Sequence, residues 1–393
     1  MKAGWEMKRL GDVCEVINGG TPKTEVNEYW DGRHLWITPA EMGKRQSPFV
    51  GDTERKITDL GLRNSSARML PPYSVILSSR APIGHLVINT DPMATNQGCK
   101  GLIPAKNLNY KFLYYYCVSI VDLLNLLGTG ATFKELSGSK LKEVIIPFPP
   151  LLEQQRIVAL LDEAFAAIAT AKANAEKNIK NARALFDSYL NAVFSQRGDG
   201  WVEGRLGEIY DVRDGTHDSP QYQVSGYPLV TSKNLKRNGL SFDDVRLISE
   251  EDYKKINVRS AVNKGDVLLA MIGTIGNPTL VTIEPNFAIK NVALFKIPYG
   301  QCGAFLKYYL SSEWVISKMM NEAKGTTQKF VGLGYLRDFS INVPSLTTQY
   351  EIVERLDHLL VECNRLEAIY QKKVAALNAL KKSILHQAFT GEL

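Results

Sequence analysis

The sequence predicts an α+β protein of two similar globular parts, each followed by a long helix. The halves are expected to be related by a pseudo-twofold axis, with the two helices antiparallel in a coiled coil. Three observations carry this. First, the chain repeats itself at an offset of 195 residues: Pro149-Pro150-Leu151-Leu152-Glu153-Gln154-Gln155-Arg156-Ile157-Val158 returns as Pro344-Ser345-Leu346-Thr347-Thr348-Gln349-Tyr350-Glu351-Ile352-Val353. Second, each half opens on short apolar runs between Gly-, Pro-, Asn- and Thr-rich turns, the pattern of strands. Third, each half closes on a stretch free of glycine and proline, between Leu151 and Gln196 and between Leu346 and Thr390. Apolar residues there recur at alternating steps of four and three, the signature of a coiled-coil seam.

In chain order, Trp5…Arg9-Leu10-Gly11-Asp12-Val13 opens the first half and is echoed by Trp201…Arg205-Leu206-Gly207-Glu208-Ile209. Strands are expected at 35–37, 74–77, 85–88 and 144–146, and in the second half at 229–230, 266–269 and 280–283. One helix is expected over 109–127 and a matching one over 302–322. The first long helix carries a seam of Ile157, Leu161, Ala164, Ile168, Ala171, Ala175, Asn178, Ala182, Leu185 and Tyr189. The second carries Ile352, Leu356, Leu359, Cys363, Leu366 and Tyr370. Alanines on the first seam permit close approach, and Asn178 would fix the register. Proline before each start and Gly198 or Gly391 after each end punctuate the two helices. The expected boundaries are 1–150 and 198–345 for the globular parts, and 151–197 and 346–393 for the helices.

Composition sets the class. Apolar content of 45% and charged content of 22% are those of an ordinary globular protein. The start, Met1-Lys2-Ala3-Gly4-Trp5-Glu6, has no apolar stretch to make a signal peptide. The most apolar run, Phe112 to Leu127, is too short to span a membrane. Cys14, Cys99, Cys117, Cys302 and Cys363 show no CxxC spacing, so they read as reduced thiols of a cytoplasmic protein, without disulfide or zinc. A net charge of +6 permits a nucleic-acid partner without demanding one.

Catalytic motifs are sparse. His34, His85, His217, His358 and His386 stand apart, with no metal-binding spacing, so no metal site is expected. There is no phosphate-binding G-x-x-x-x-G-K-[ST] loop. Leu70-Pro71-Pro72-Tyr73 resembles the Asn-Pro-Pro-aromatic motif of amino-methyltransferases, but leucine cannot hold a target amine, so the segment reads as a turn. Glu251-Asp252-Tyr253-Lys254 hints at a nuclease pattern, lacks a partner aspartate on a strand, and reads as a solvated helix.

Polar loops, placed twice, are what remains. Thr132 and Lys134 lie in a segment that corresponds to the one holding Thr327, Gln328 and Lys329. Thr21 and Lys23 correspond to Thr216 and His217; Asn96, Gln97 and Lys100 correspond to Lys290 and Asn291. Arg80 adds a donor in the first half, and Lys233, Asn234, Lys236 and Arg237 do so in the second. Asn, Gln and Arg read base edges in pairs of hydrogen bonds; Lys and Thr hold phosphate. Duplex DNA has local twofold symmetry, which suits a chain of two similar halves.

The repeated Pro-x-Leu-x-x-Gln-x-x-Ile, the Trp-x-x-x-Arg-Leu-Gly openings and the ending Ile384-Leu385-His386-Gln387-Ala388-Phe389-Thr390-Gly391-Glu392-Leu393 resemble the specificity subunits of type I restriction–modification systems. The resemblance covers the whole chain. It implies two target recognition domains, each reading one half of a split double-stranded DNA site, spaced by an antiparallel coiled coil. It also implies two methyltransferase subunits and motor–nuclease restriction subunits as partners. S-adenosylmethionine would belong to the former and ATP with Mg²⁺ to the latter, with no cofactor bound by this chain and no membrane contact. Two other readings stay open at this point: a DNA methyltransferase or nuclease with degenerate motifs, and a scaffold that ignores DNA.

Overall fold

Apolar runs bounded by turns become strands, and in each half the largest sheet positions the site. The structure, a computed structural model, describes residues 4–130, 134–196, 198–236, 239–273, 275–325 and 329–393. In the first half the strands are β1 (Cys14–Asn18), β2 (Phe49–Val50), β3 (Val75–Ser78), β4 (Leu86–Asn89) and β5 (Cys99–Pro104). They lie in the order β1-β5-β3-β4-β2, antiparallel except for the β4–β2 pair. Helix α1 (Tyr110–Ser119) packs on β3 and β4 through Phe112, Leu113, Tyr116 and Cys117, and α2 (Val121–Leu127) follows it. The Asn109 side chain starts α1 by accepting from the Lys111 and Phe112 amides. The single helix predicted over 109–127 is therefore two, because Ile120 (φ −108°, ψ 14°) leaves helical geometry between them.

The chain then runs into α3 (Leu151–Ser195). Beyond it β6 (Asp211–Asp214), β7 (Val267–Ala270), β8 (Gly276–Leu280) and β9 (Val292–Lys296) form an antiparallel sheet in the order β6-β9-β7-β8. Helices α4 (Gly303–Ser311) and α5 (Glu313–Glu322) repeat the α1–α2 pair, broken this time at the buried Ser312 (ψ 139°). The strand predicted over 280–283 lies earlier than expected: β8 ends at Leu280, and Ile283 is exposed. The edge position of β8 tolerates Pro278, which has no amide hydrogen for a ladder. The last element is α6 (Leu346–Thr390).

The repeated openings have one job in both halves. Glu6–Arg9 pairs with Ile145–Phe148, and Val202–Arg205 pairs with Ser340–Val343, in each case just ahead of a long helix. Leu10 and Leu206 are fully buried. A β-carbon at Gly11 would lie 2.9 Å from that of Lys142, and one at Gly207 would lie 2.7 Å from that of Arg337. Neither glycine leaves room for a side chain.

The repeated glutamines are latches. Gln154 and Gln349 are both fully buried. Gln154 Oε1 accepts from the Asn109 amide at 2.8 Å, while its Nε2 donates to the carbonyls of Asn107 (3.1 Å) and Pro149 (2.9 Å). Gln349 Oε1 accepts from the Cys302 amide at 2.9 Å, while its Nε2 donates to Pro344 O (3.0 Å) and Gln301 Oε1 (3.1 Å). Each amide ties the start of a long helix to the start of the sheet-packed helix before it. About two turns further, Asp162 accepts from Tyr115 (2.6 Å) and Lys111 (2.6 Å), and Asp357 accepts from Tyr308.

The chain divides into two compact units, and the division falls inside each long helix. One unit comprises Met1–Ala175 with Lys372–Leu393, the other Glu176–Gln371. Within the first, Arg156 donates to Leu393 O (2.8 Å), and the Lys381 ammonium sits 4.9 Å from the centre of the Phe165 ring. Within the second, Arg183 pairs with Glu367, and the Cys363 thiol lies against the Phe186 backbone. In both units, rising numbers on α3 meet falling numbers on α6, so the helices run antiparallel.

Seam positions Ile157, Leu161, Ile168, Ala175 and Leu356 are buried; Ala164, Ile352, Leu359 and Leu366 are half-buried. Leu185 departs from the expected seam, being 53% exposed. Past Ala182 the buried row steps by four, through Phe186, Leu190 and Phe194. That row faces the globular part: Phe194 meets the rings of Phe305 and Tyr309 on α4 edge-on. Phe389, at the end of α6, meets Phe112 and Tyr116 on α1 in the same way. The helix ends have left the coiled-coil geometry to dock by their i, i+4 ridge.

Candidate nucleic-acid interface

In each half, the polar loops leave the sheet at one end. Asn18, the last residue of β1, stands opposite Lys100, and Ser78, the last of β3, stands opposite Cys99. The loops after β1, after β3 and before β5 therefore meet. A fourth joins them, because Leu136 donates to Ser79 O at 2.8 Å and Thr129 and Glu135 bond each other's backbones. Packing here is close: a β-carbon on Gly19 would lie 1.8 Å from Asn96 O. Thr21, Arg80, Asn96, Gln97, Lys100 and Lys134 come together in this way. Lys23, two residues past Thr21, is exposed, and its carbonyl accepts from the Trp30 indole at 3.2 Å.

Side-chain bonds sort these residues. The Thr21 hydroxyl donates to the Gln97 amide oxygen, and Asn96 Oδ1 accepts from Gly98 N at 3.0 Å. Glu135, which pattern reasoning missed, pairs with Arg80 at 3.1 Å and approaches Lys100 at 4.0 Å. Lys100 is buried; desolvation holds its amine below the ordinary lysine value, and Glu135 opposes that. Only the charge of Glu135, an isolated acid in a polar loop, could have signalled it in the sequence.

The second half repeats the arrangement. Asp214 ends β6 opposite Ala293, and Ala270 ends β7 opposite Val292. A β-carbon on Gly215 would lie 2.3 Å from Ile289 O, so the loop after β6 again runs against the one before β9. Gly273 donates to Lys329 O at 2.9 Å, which brings in the loop that precedes Phe330. Thr216, His217, Lys290, Asn291 and Lys329 gather here. Lys290 Nζ reaches Ser219 Oγ (2.6 Å) and Lys329 Nζ reaches Met320 O (3.0 Å), both on the exposed surface. Lys233 and Lys236 are exposed beside the start of β8, where Asn277 donates to Leu235 O at 3.2 Å.

Asn234 does not face outward as expected. It is buried; its Oδ1 accepts from the Thr231 amide (2.9 Å) and hydroxyl (3.0 Å), and its Nδ2 donates to Ser241 O (3.1 Å). Its work is to close the turn, which an Asn does as readily as it reads a base. Thr132, Arg237, Thr327 and Gln328 lie outside the described residues.

The five cysteines are buried and unpaired with one another; burial pushes the Cys14 and Cys99 thiols up to about 12, which makes them poor nucleophiles. Among the described residues, no three His, Cys, Asp or Glu side chains converge as metal ligands, and no helix is long and apolar enough to cross a membrane. The Pro71-Pro72 segment is a turn, with Tyr73 at φ 65°, and Glu250–Ser260 is a surface helix capped by Ser249.

With two such loop clusters on one chain, the comparison with known proteins is decisive. The type I restriction modification DNA specificity domain matches residues 2–181 and again residues 198–376. The chain belongs to that family. The MjaIX specificity subunit of Methanocaldococcus jannaschii is 28% identical, over 99% of this chain and 93% of its own length. The EcoBI specificity subunit of Escherichia coli is 25% identical over 82% of this chain and 74% of its own. Among solved structures, a chain from work on complex assembly and conformational transition of the type I R-M system superposes with a TM-score of 0.78 at 20% identity, over 100% of this chain and 99% of the other. The HsdS subunit of Thermoanaerobacter tengcongensis gives 0.66 at 19%, over 100% and 98%. These two share the fold. This type I specificity subunit therefore carries two DNA specificity domains and is the sequence-recognition component, not the catalytic one, of a restriction enzyme.

Proposed function

We propose that residues 1–150 and 198–345 of this subunit each read one half of a bipartite double-stranded DNA site, and that the helices 151–197 and 346–393 set the distance between the half-sites. The observation that carries this is the duplicated loop cluster: in both halves, loops rich in Thr, Asn, Gln, Lys and Arg converge on the same end of equivalent strands. Two methyltransferase subunits, supplied with S-adenosylmethionine, and motor–nuclease subunits, supplied with ATP and Mg²⁺, would act where the subunit places them, in the cytoplasm. The sequence relatives named as specificity subunits of restriction enzymes support this reading.

Exchanging residues 1–150 for the matching part of a related subunit tests it. Methylation mapping should show one half-site changed and the other kept; a change in both would overturn independent reading. A charge test separates phosphate from base contacts. Lys134→Ala or Lys329→Ala, each in the methyltransferase complex, should weaken binding to all sequences alike and lower the salt slope by about one unit. Unchanged affinity at low salt would place these loops away from DNA.

A further inference from the structure

His217 stands among the polar loops of the second domain with both ring nitrogens engaged. Its Nε2 lies 2.9 Å from Asp214 Oδ2, and its Nδ1 lies 2.8 Å from Asn291 Oδ1. Asp214 is 5% exposed and also accepts from Arg259. Asn291 sits at φ 54°, a left-handed conformation, with its amide donating to Thr216 O at 3.2 Å. Its backbone is anchored, and turning its side-chain amide end over end exchanges the oxygen and NH₂ that face the ring.

That rotation is tied to the proton on His217. A carboxylate only accepts, so Nε2 must carry a hydrogen toward Asp214 in either charge state. In the imidazolium, Nδ1 also donates; Asn291 then turns Oδ1 inward and presents its NH₂ outward. In neutral imidazole, Nδ1 is an acceptor, so Asn291 turns its NH₂ inward and presents Oδ1 outward. The Oδ1-to-Nδ1 pairing of this structure is the imidazolium arrangement. An outward NH₂ donates to O6 or N7 of guanine, N7 of adenine or O4 of thymine; an outward oxygen accepts from the amino groups of adenine or cytosine.

We propose that His217 and Asn291 form a protonation-gated base-reading pair, in which the charge on His217 decides whether the second domain offers a donor or an acceptor to one base of its half-site. This rests on the reading of the loop cluster as the DNA face. The bonds to Asn291 and then to Asp214 lift His217 above the ordinary imidazole value, while desolvation and then the charge of Arg259 oppose them, so the donor form extends toward higher pH. Among the described residues, the other charged groups near the pair are Lys290, whose ammonium is held on Ser219, the exposed Asp218, and Arg213, which is turned to Asp211 and to Arg259 O. None takes the place of Asp214 or Asn291 on the ring.

The test uses the full chain assembled with its methyltransferase subunits, and duplexes substituted singly at each position of both half-sites. Discrimination is measured at about pH 6 and about pH 8.5, on either side of the histidine range. At one position of the second half-site, preference for an acceptor-bearing base should fall by about tenfold at the higher pH, with the first half-site constant within about twofold as the internal control. His217→Gln should abolish the pH dependence at that position. Asn291→Ala should remove the preference there at both pH values without altering other positions. Sequence-specific binding whose discrimination is the same at both pH values across the second half-site would overturn the pair while leaving the DNA reading intact. Binding with no sequence preference in either half would overturn both.

Discussion

Gln349→Ala should cost the second unit about 3 kcal/mol, because it leaves buried groups without partners, each worth about 1–3 kcal/mol. The Cys302 amide and the Pro344 carbonyl both lose their bond to this fully buried side chain. Gln349→Met keeps the volume and removes the bonds, so it should cost nearly as much and separate hydrogen bonding from packing. Gln349→Glu should also destabilise, since a carboxylate would set an acceptor against Pro344 O. Gln154→Ala should do the same to the first unit. Denaturant unfolding, with hydrogen exchange at the start of α4 for Gln349 and of α1 for Gln154, reads each effect. A loss below about 0.5 kcal/mol would show that the latches are replaceable.

The second large effect concerns spacing. If the long helices set the gap between the half-sites, a heptad inserted after Ala175 and another after Gln371, where the units divide, should lengthen both helices in phase. Seven residues add about 10 Å at 1.5 Å per residue. DNA rises 3.4 Å per base pair, so the unread gap should widen by about three base pairs. Both half-site sequences should persist. The added step also turns the duplex by roughly 100°, so activity should fall until the DNA twists or bends to meet it. Methylation mapping decides: an unchanged gap with activity retained means the helices are not the ruler, and altered half-site letters mean the domains are not independent readers.

Much of this architecture was legible because it is written twice. The offset of 195 residues exposed the long helices, and the absence of Gly and Pro gave their extent, Leu151–Ser195 and Leu346–Thr390. The loops rich in Thr, Asn and Lys were legible as a set, since the repeat places them at matching strand ends. What the sequence hid is tertiary. Leu185 satisfies a 4-3 pattern as well as Phe186 satisfies a step of four, and only the presence of α4 chooses between them. Asn234 has the chemistry of a base reader and the chemistry of a turn, and burial decides for the turn. Glu135 and Arg259 have no periodic signature, and their roles come from the groups that the fold brings to them, Arg80 and Asp214. The repeated glutamines were conspicuous as a motif, but their function needed the amides of Asn109 and Cys302, which lie about 45 residues upstream.

The interrupted make-up of the first unit fixes an order of assembly on the ribosome. Glu176–Gln371 is continuous, so the second unit can close as soon as it emerges. The first unit cannot: Phe389, Leu385 and Ala388 belong to its core, and they are synthesised after the whole of the second. At roughly 5–20 residues per second, translating the intervening segment of about 200 residues takes roughly 10–40 s. During that interval the face of α1 around Phe112 and Tyr116 lacks its cover. A nascent chain halted before Lys372 would thus carry a finished second reader and an unfinished first one, open to chaperones and proteases at its N-terminal half.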